Sequence, residues 1–122
     1  RMITILPVQG EPFAQVRQMH PEVTDLLVMK DGEQELGSIG VSAGNSSLEI
    51  CCLEVSCEEE AERRFYADSL LRAAASLAAN RGAYQIVCSL SAWASFLRAE
   101  GFREEEERFV LQTEQIVKFC KD

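Results

Sequence analysis

Three consecutive glutamates followed closely by two arginines are the residues of this 122-residue chain best spaced for ligand chemistry. "LEICCLEV" (48–55) reads as a strand, and "SCEEEAERRFYADSLLRAA" (56–74) as the helix that follows it. A strand feeding a helix N-terminus can bind a phosphate, because the first helical N–H groups lack intrahelical partners and point outward. Arg63 and Arg64 could clamp such an anion; Glu58, Glu59 and Glu60 oppose it and complement the helix dipole by themselves. The arginines also have a plainer reading, pairing at i, i+4 with Glu59 and Glu60. Glu49 and Glu54 lie on opposite faces of a regular strand. Either could be a general base or an exposed sheet residue.

The other reactive side chains are sparse. Cys51, Cys52, Cys57, Cys88 and Cys120 include no C-x-x-C pair. Adjacent strand cysteines face opposite sides, which spoils a shared metal site, so the thiols read as reduced, small apolar residues and no metal is expected. His20 is the single histidine, so a nucleophile–histidine–acid triad could run only through it.

A formal net charge of −8 argues against nucleic acid and against anionic membrane surfaces, both of which need clustered cations. No apolar run approaches the roughly 18 residues of a spanning helix, and no signal peptide is visible, so a cytoplasmic protein is expected. The length fits one domain over residues 1–122.

The elements that must position these groups follow from periodicity. "MITILPV" (2–8) is a short strand; "EPFAQVRQM" (11–19) has Pro12 in a first helical turn and Phe13, Val16 and Met19 at helical spacing. Strands at 23–30, 33–43 and 46–55 are joined by Asp31-Gly32 and Gly44-Asn45 turns into an antiparallel meander. Ser56 and Glu59 form a capping box, so a helix is expected from just after Ser56 to a stop at Gly82, with Tyr66, Leu70, Ala74 and Leu77 on its apolar stripe. A buried strand (83–90), a short helix (91–100) with Trp93, Phe96 and Leu97 on its packing face, and one or two strands over 108–119 complete the chain. "REEEER" (103–108) reads as a solvated turn and edge. The helix crossover predicts that the strands at 48–55 and 83–90 are parallel.

This β-α-β-β-β-α-β-α-β order, the strand and long helix of 48–80, and "QIVCSLSAWASFLRAEGF" (85–102) together resemble the GNAT superfamily of N-acetyltransferases. The second segment is similar to that family's strand, short helix and Gly-Phe ending. The resemblance covers roughly residues 23–119. It implies an α/β fold with a mixed, mostly antiparallel sheet flanked by helices, and acetyl-CoA as cofactor. An amine on a small molecule or peptide would be the substrate. Leu53 and Val55 would give backbone contacts to the pantetheine, and Arg63, Arg64, Ala67 and Ser69 would lie at the pyrophosphate, in the turn pattern Q/R-x-x-G-x-G/A. Leu97 stands where the family often has a proton-donating tyrosine, and Leu90 where it has an asparagine. The catalytic residues stay unassigned.

Two functions follow. One is an acyl-CoA-dependent N-acyltransferase acting on an unidentified amine. The other is a non-catalytic module of the same fold, with a decayed cofactor site, serving binding or homodimer formation. Residues 56–72 contain no glycine, which favours the second; the intact strand–helix junction favours the first.

Overall fold

The computed structural model describes residues 2–117. Its elements are β1 (Ile3–Pro7), α1 (Glu11–Met19), β2 (Asp25–Asp31), β3 (Gln34–Ala43), β4 (Ser47–Val55), α2 (Glu60–Asn80), β5 (Gln85–Cys88), a 3₁₀ turn (Ser91–Trp93) running into α3 (Ala94–Ala99), β6 (Arg103–Glu105), β7 (Arg108–Gln112) and α4 (Thr113–Val117). Seven strands form one sheet in the order β1-β2-β3-β4-β5-β7-β6. Every neighbouring pair is antiparallel except β4 and β5, which are parallel, as the α2 crossover requires.

Helix α2 covers one face. Tyr66, Leu70, Leu71, Ala74 and Ala78 are buried against Met29, Ile39, Leu48, Ile50 and Ile86. The alanines let the helix approach the sheet closely, and each large side chain removed from water contributes about 1.5–3 kcal/mol. Gly82, at φ 80°, ends the helix: the Ala83 N–H returns to the Ala78 carbonyl at 2.9 Å. Helix α1 lies on the opposite face and buries none of its residues fully. Gly37 and Gly40 keep β3 close to β4; a Cβ on Gly37 would stand 2.6 Å from the Glu54 carbonyl oxygen.

One expectation needs correction. The segment 108–119 is not all strand: the ladder ends at Gln112, and Thr113–Val117 is helical, with Ile116 buried in the α2 core. Core packing there outweighs the β propensity of Ile116 and Val117. The "REEEER" stretch forms the turn and edge expected of it: β6 is the outermost strand, and the turn residues of the β6–β7 hairpin, Glu106 and Glu107, both have positive φ. Cys120 lies outside the described residues.

Candidate functional site

Strands β4 and β5 pair only from Ser47↔Gln85 to Ile50↔Cys88. Beyond that point β4 runs on to Val55, while the chain leaves β5 for the 3₁₀ turn, so the strands part. The Ser56 N–H donates to the Leu36 carbonyl of β3 at 2.8 Å. By strand alternation, the backbone groups of Leu53 and Val55 therefore turn the other way, into the opening. Cys51, Leu53, Ser89, Leu90, Ser91 and Trp93 help line the resulting cleft, whose volume is about 390 Å³.

Trp93 closes part of this cleft. Its Nε1–H donates to the Leu53 carbonyl at 3.0 Å, and its ring meets Phe96 edge-on with centroids 5.5 Å apart. Arg63 lies over the indole, its guanidinium carbon 4.1 Å from the ring centroid, and Arg64 approaches Phe96 at 5.9 Å. The expected pairing of these arginines with Glu59 and Glu60 is replaced by stacking on the aromatic side chains of the 3₁₀ turn and α3, which local spacing could not show. The two guanidiniums therefore lie against the aromatic side chains of the turn and α3, and Arg63 also lines a pocket with Val55, Ser56, Cys57, Glu58 and Glu60.

The start of α2 also differs from expectation. Ser56 is not the cap: its N–H donates to the Leu36 carbonyl, and the helix begins only at Glu60. Glu59 caps the helix instead: its carboxylate accepts from the N–H groups of Glu62 at 2.8 Å and Ala61 at 3.4 Å. A carboxylate suits that end for the same dipole reason as a phosphate, and here the chain supplies its own. Ala67 and Ser69 lie well inside the helix rather than in a turn. Ala67 is fully buried against the sheet, and the Ser69 hydroxyl donates to the Phe65 carbonyl at 3.0 Å. Neither is placed to contact a phosphate. Leu97, at the position of the family's tyrosine, is fully buried in the core, as is most of Tyr66.

On the α1 face, a bulge overturns the expectation for the carboxylates. Ser42 pairs with Glu49 and Val41 with Ile50, but Gly40 pairs with Cys52 and Ser38 with Glu54, leaving Cys51 as the extra residue. Since Ser38, Gly40 and Ser42 share a face of β3, Glu49, Cys52 and Glu54 share a face of β4. Glu54 and Cys52 line a groove of about 300 Å³ under α1, together with Glu35, Ser38, Val16 and Leu26. His20, Cys52 and Glu54 border both this groove and the cleft, so the two spaces meet across β4. His20, at the end of α1, also has Glu22 nearby, at 4.0 Å. Its position at this junction left no signal in the sequence beyond its being the only histidine.

Cys51 and Cys52, expected on opposite faces, both border the cleft because of the bulge. Burial, aided by the Glu49 and Glu22 charges, pushes the Cys51 thiol up to about 12, and burial raises Cys52 as well. Burial likewise lifts Cys88 to about 11. Each stays a neutral thiol near neutral pH, a poor nucleophile and a poor metal ligand. Among the described residues no cluster of three metal-binding side chains occurs.

This mixed seven-stranded sheet with flanking helices, one parallel pair that parts midway and a long helix crossing between the parted strands is the fold of solved GNAT acetyltransferases. No family model matches the sequence, and no curated protein matches it by sequence. Among solved structures, a GNAT family acetyltransferase from Elizabethkingia anophelis with acetyl-CoA bound is 16% identical, with a TM-score of 0.65 over 90% of this chain and 96% of that one. A Bacillus subtilis acetyltransferase in complex with CoA is 15% identical, TM-score 0.68, over 91% of this chain and 99% of that one. The N-acetylglutamate synthase from Neisseria gonorrhoeae, complexed with coenzyme A and N-acetyl-glutamate, is 12% identical, TM-score 0.75; this chain spans 93% of its own length but 35% of that protein. Among the described residues no helix is long and apolar enough to cross a membrane.

An acyl-CoA fits this site unevenly. The backbone edge of Leu53 and Val55 suits the amides of a pantetheine arm. The capped end of α2 does not suit a pyrophosphate, because Glu59 already occupies its amides.

Proposed function

We propose that this protein is an acyl-CoA-dependent N-acyltransferase that transfers an acetyl group to an amine. The observation that carries the proposal is the fork itself: the free edge of β4 opens at Leu53 to a cleft and at Val55 to the adjoining pocket that Arg63 lines, while Glu54 of the same strand borders both the cleft and the groove under α1. When bound, acetyl-CoA supplies an acetyl group activated as a thioester. Leu53 and Val55 align its pantetheine arm by backbone hydrogen bonds. Arg63 and Arg64, rather than helix amides, neutralise its phosphates. On the α1 side, Glu35 and Glu54 attract a cationic amine, and Glu54 takes a proton from it, directly or through a water, so that a neutral amine meets the acyl carbon. As the C–N bond forms the C–S bond breaks, and the proton that the amine nitrogen then sheds goes, through solvent, to the leaving thiolate. Val16 and Leu26 give the groove an apolar wall against the carbon skeleton of the amine.

The Glu59 cap and the leucine at position 97 favour a second reading, a binding module of this fold that no longer uses a cofactor. Calorimetric titration with acetyl-CoA and desulfo-CoA separates the two, followed by a free-thiol assay with a panel of primary amines. Binding of both ligands, with amine-dependent thiol release, is the expected result. Absence of any binding heat would remove the transferase reading and leave the module.

A further inference from the structure

Trp93 is buried at 7% exposure, yet its one polar atom is spent on the free edge of β4. The Leu53 carbonyl that it holds faces the cleft with no strand beside it, so the indole satisfies a group that would otherwise take a ligand or water. Arg63 rests on the face of the same ring; among the described residues no carboxylate forms an ion pair with it, although Glu58 and Glu60 line the same pocket. A cation held on a ring face rather than in an ion pair can exchange that ring for an anion.

We infer that Trp93 and Arg63 form a gate at the cleft: the indole, anchored on the Leu53 carbonyl and lining the cleft, fills the side from which a donor's amide would approach and must swing aside, and Arg63, beside the cleft, leaves the indole for the donor's phosphate. The inference rests on the donor-binding reading above and adds to it a closed state built from this chain's own residues. Closure lowers the apparent affinity by the fraction of molecules that are shut. Removing the indole N–H leaves the closed state with an unpaired Leu53 carbonyl, so the gate should then stand open more often.

The test compares desulfo-CoA binding by the intact chain and by Trp93→Phe, and follows tryptophan emission during the titration. Trp93 is the only tryptophan, so the signal belongs to it alone. The expected results are about fivefold tighter binding by Trp93→Phe, the scale of one hydrogen bond of about 1 kcal/mol, and a red-shifted, more acrylamide-accessible emission in the liganded native protein. Equal affinities in a folded variant, or an emission that saturating ligand leaves unchanged, overturn the gate while donor binding stands. Absence of binding by both proteins overturns the gate and the donor reading together. Should Trp93→Phe not fold, the emission of the native protein decides.

Discussion

Arg81 at the end of α2 holds Asp25 at the start of β2 in a two-pronged ion pair, Nη1 to Oδ2 and Nη2 to Oδ1, each at 2.8 Å. The pair pins the helix end to the sheet. The Arg81 hydrogen bonds hold the Asp25 carboxyl below its ordinary value against the opposing effect of burial, with Thr24 assisting. A carboxyl depressed on folding adds stability above its unfolded pKa, about 3.9, and loses it as pH falls through the folded value. Asp25→Asn should therefore lower Tm at pH 7 by no more than about 4 °C, the scale of a half-exposed pair. The difference should vanish in melts below the folded pKa of Asp25.

Glu100 gives the opposite slope. Burial, then a hydrogen bond with Asp68 and the charge of that carboxylate, raises Glu100 to about 7, although Arg72 and Arg64 pull the other way. A carboxyl raised on folding adds stability below its unfolded pKa and loses it as pH climbs towards the folded value. Melts of the native protein should show stability falling between about pH 4.3 and 7 from this group. Glu100→Gln should flatten that limb and be the more stable protein at pH 8.

A methyl on Gly40 would stand 2.7 Å from the Cys52 sulfur, at the bulge that brings Glu54 round to the α1 groove. Gly40→Ala should destabilise by about 1–3 kcal/mol in urea unfolding. Cys52→Ala in the same chain should recover most of that loss, since the clash is with a side-chain end. Gly37→Ala has no such remedy, because its methyl meets the Glu54 carbonyl at 2.6 Å.

If Glu54 serves as the base, Glu54→Gln should lower kcat by about 10²–10⁴-fold. Glu49→Gln, on the same face but outside the lining of the groove, should leave kcat nearly unchanged. Equal losses in steady-state assays of both variants would point to the general acidity of the face and not to a base.

Restoring a tyrosine at position 97 should not restore an acid. Leu97 has no exposure and packs in the α2 core, so Leu97→Tyr should cost about 1–3 kcal/mol by overpacking, with no gain in turnover. Tyr66→Phe, also a core position, should leave turnover as it is.

What the sequence determined by itself was local. Period-two and helical spacing located β1 to β5 and α1 to α3, the Asp31-Gly32 turn set a hairpin, Gly82 stopped α2, and the crossover rule made β4 and β5 parallel. All but the last depend on residues close together in the chain, whose preferences act before any distant contact forms; the parallel pairing follows from the order of strand, helix and strand. The tertiary structure decided the rest. The bulge at Cys51 exists only in the register between β3 and β4, and it turned Glu54 to the face of Glu49. The start of α2 moved from Ser56 to Glu59, while Leu36, on another strand, takes the Ser56 N–H and holds that residue to the sheet. Arg63 left its helical neighbours for Trp93, and Trp93 reached Leu53 forty positions away in the chain. Those choices compare contacts between segments far apart in sequence, and their energies are defined only once the sheet has brought the segments together.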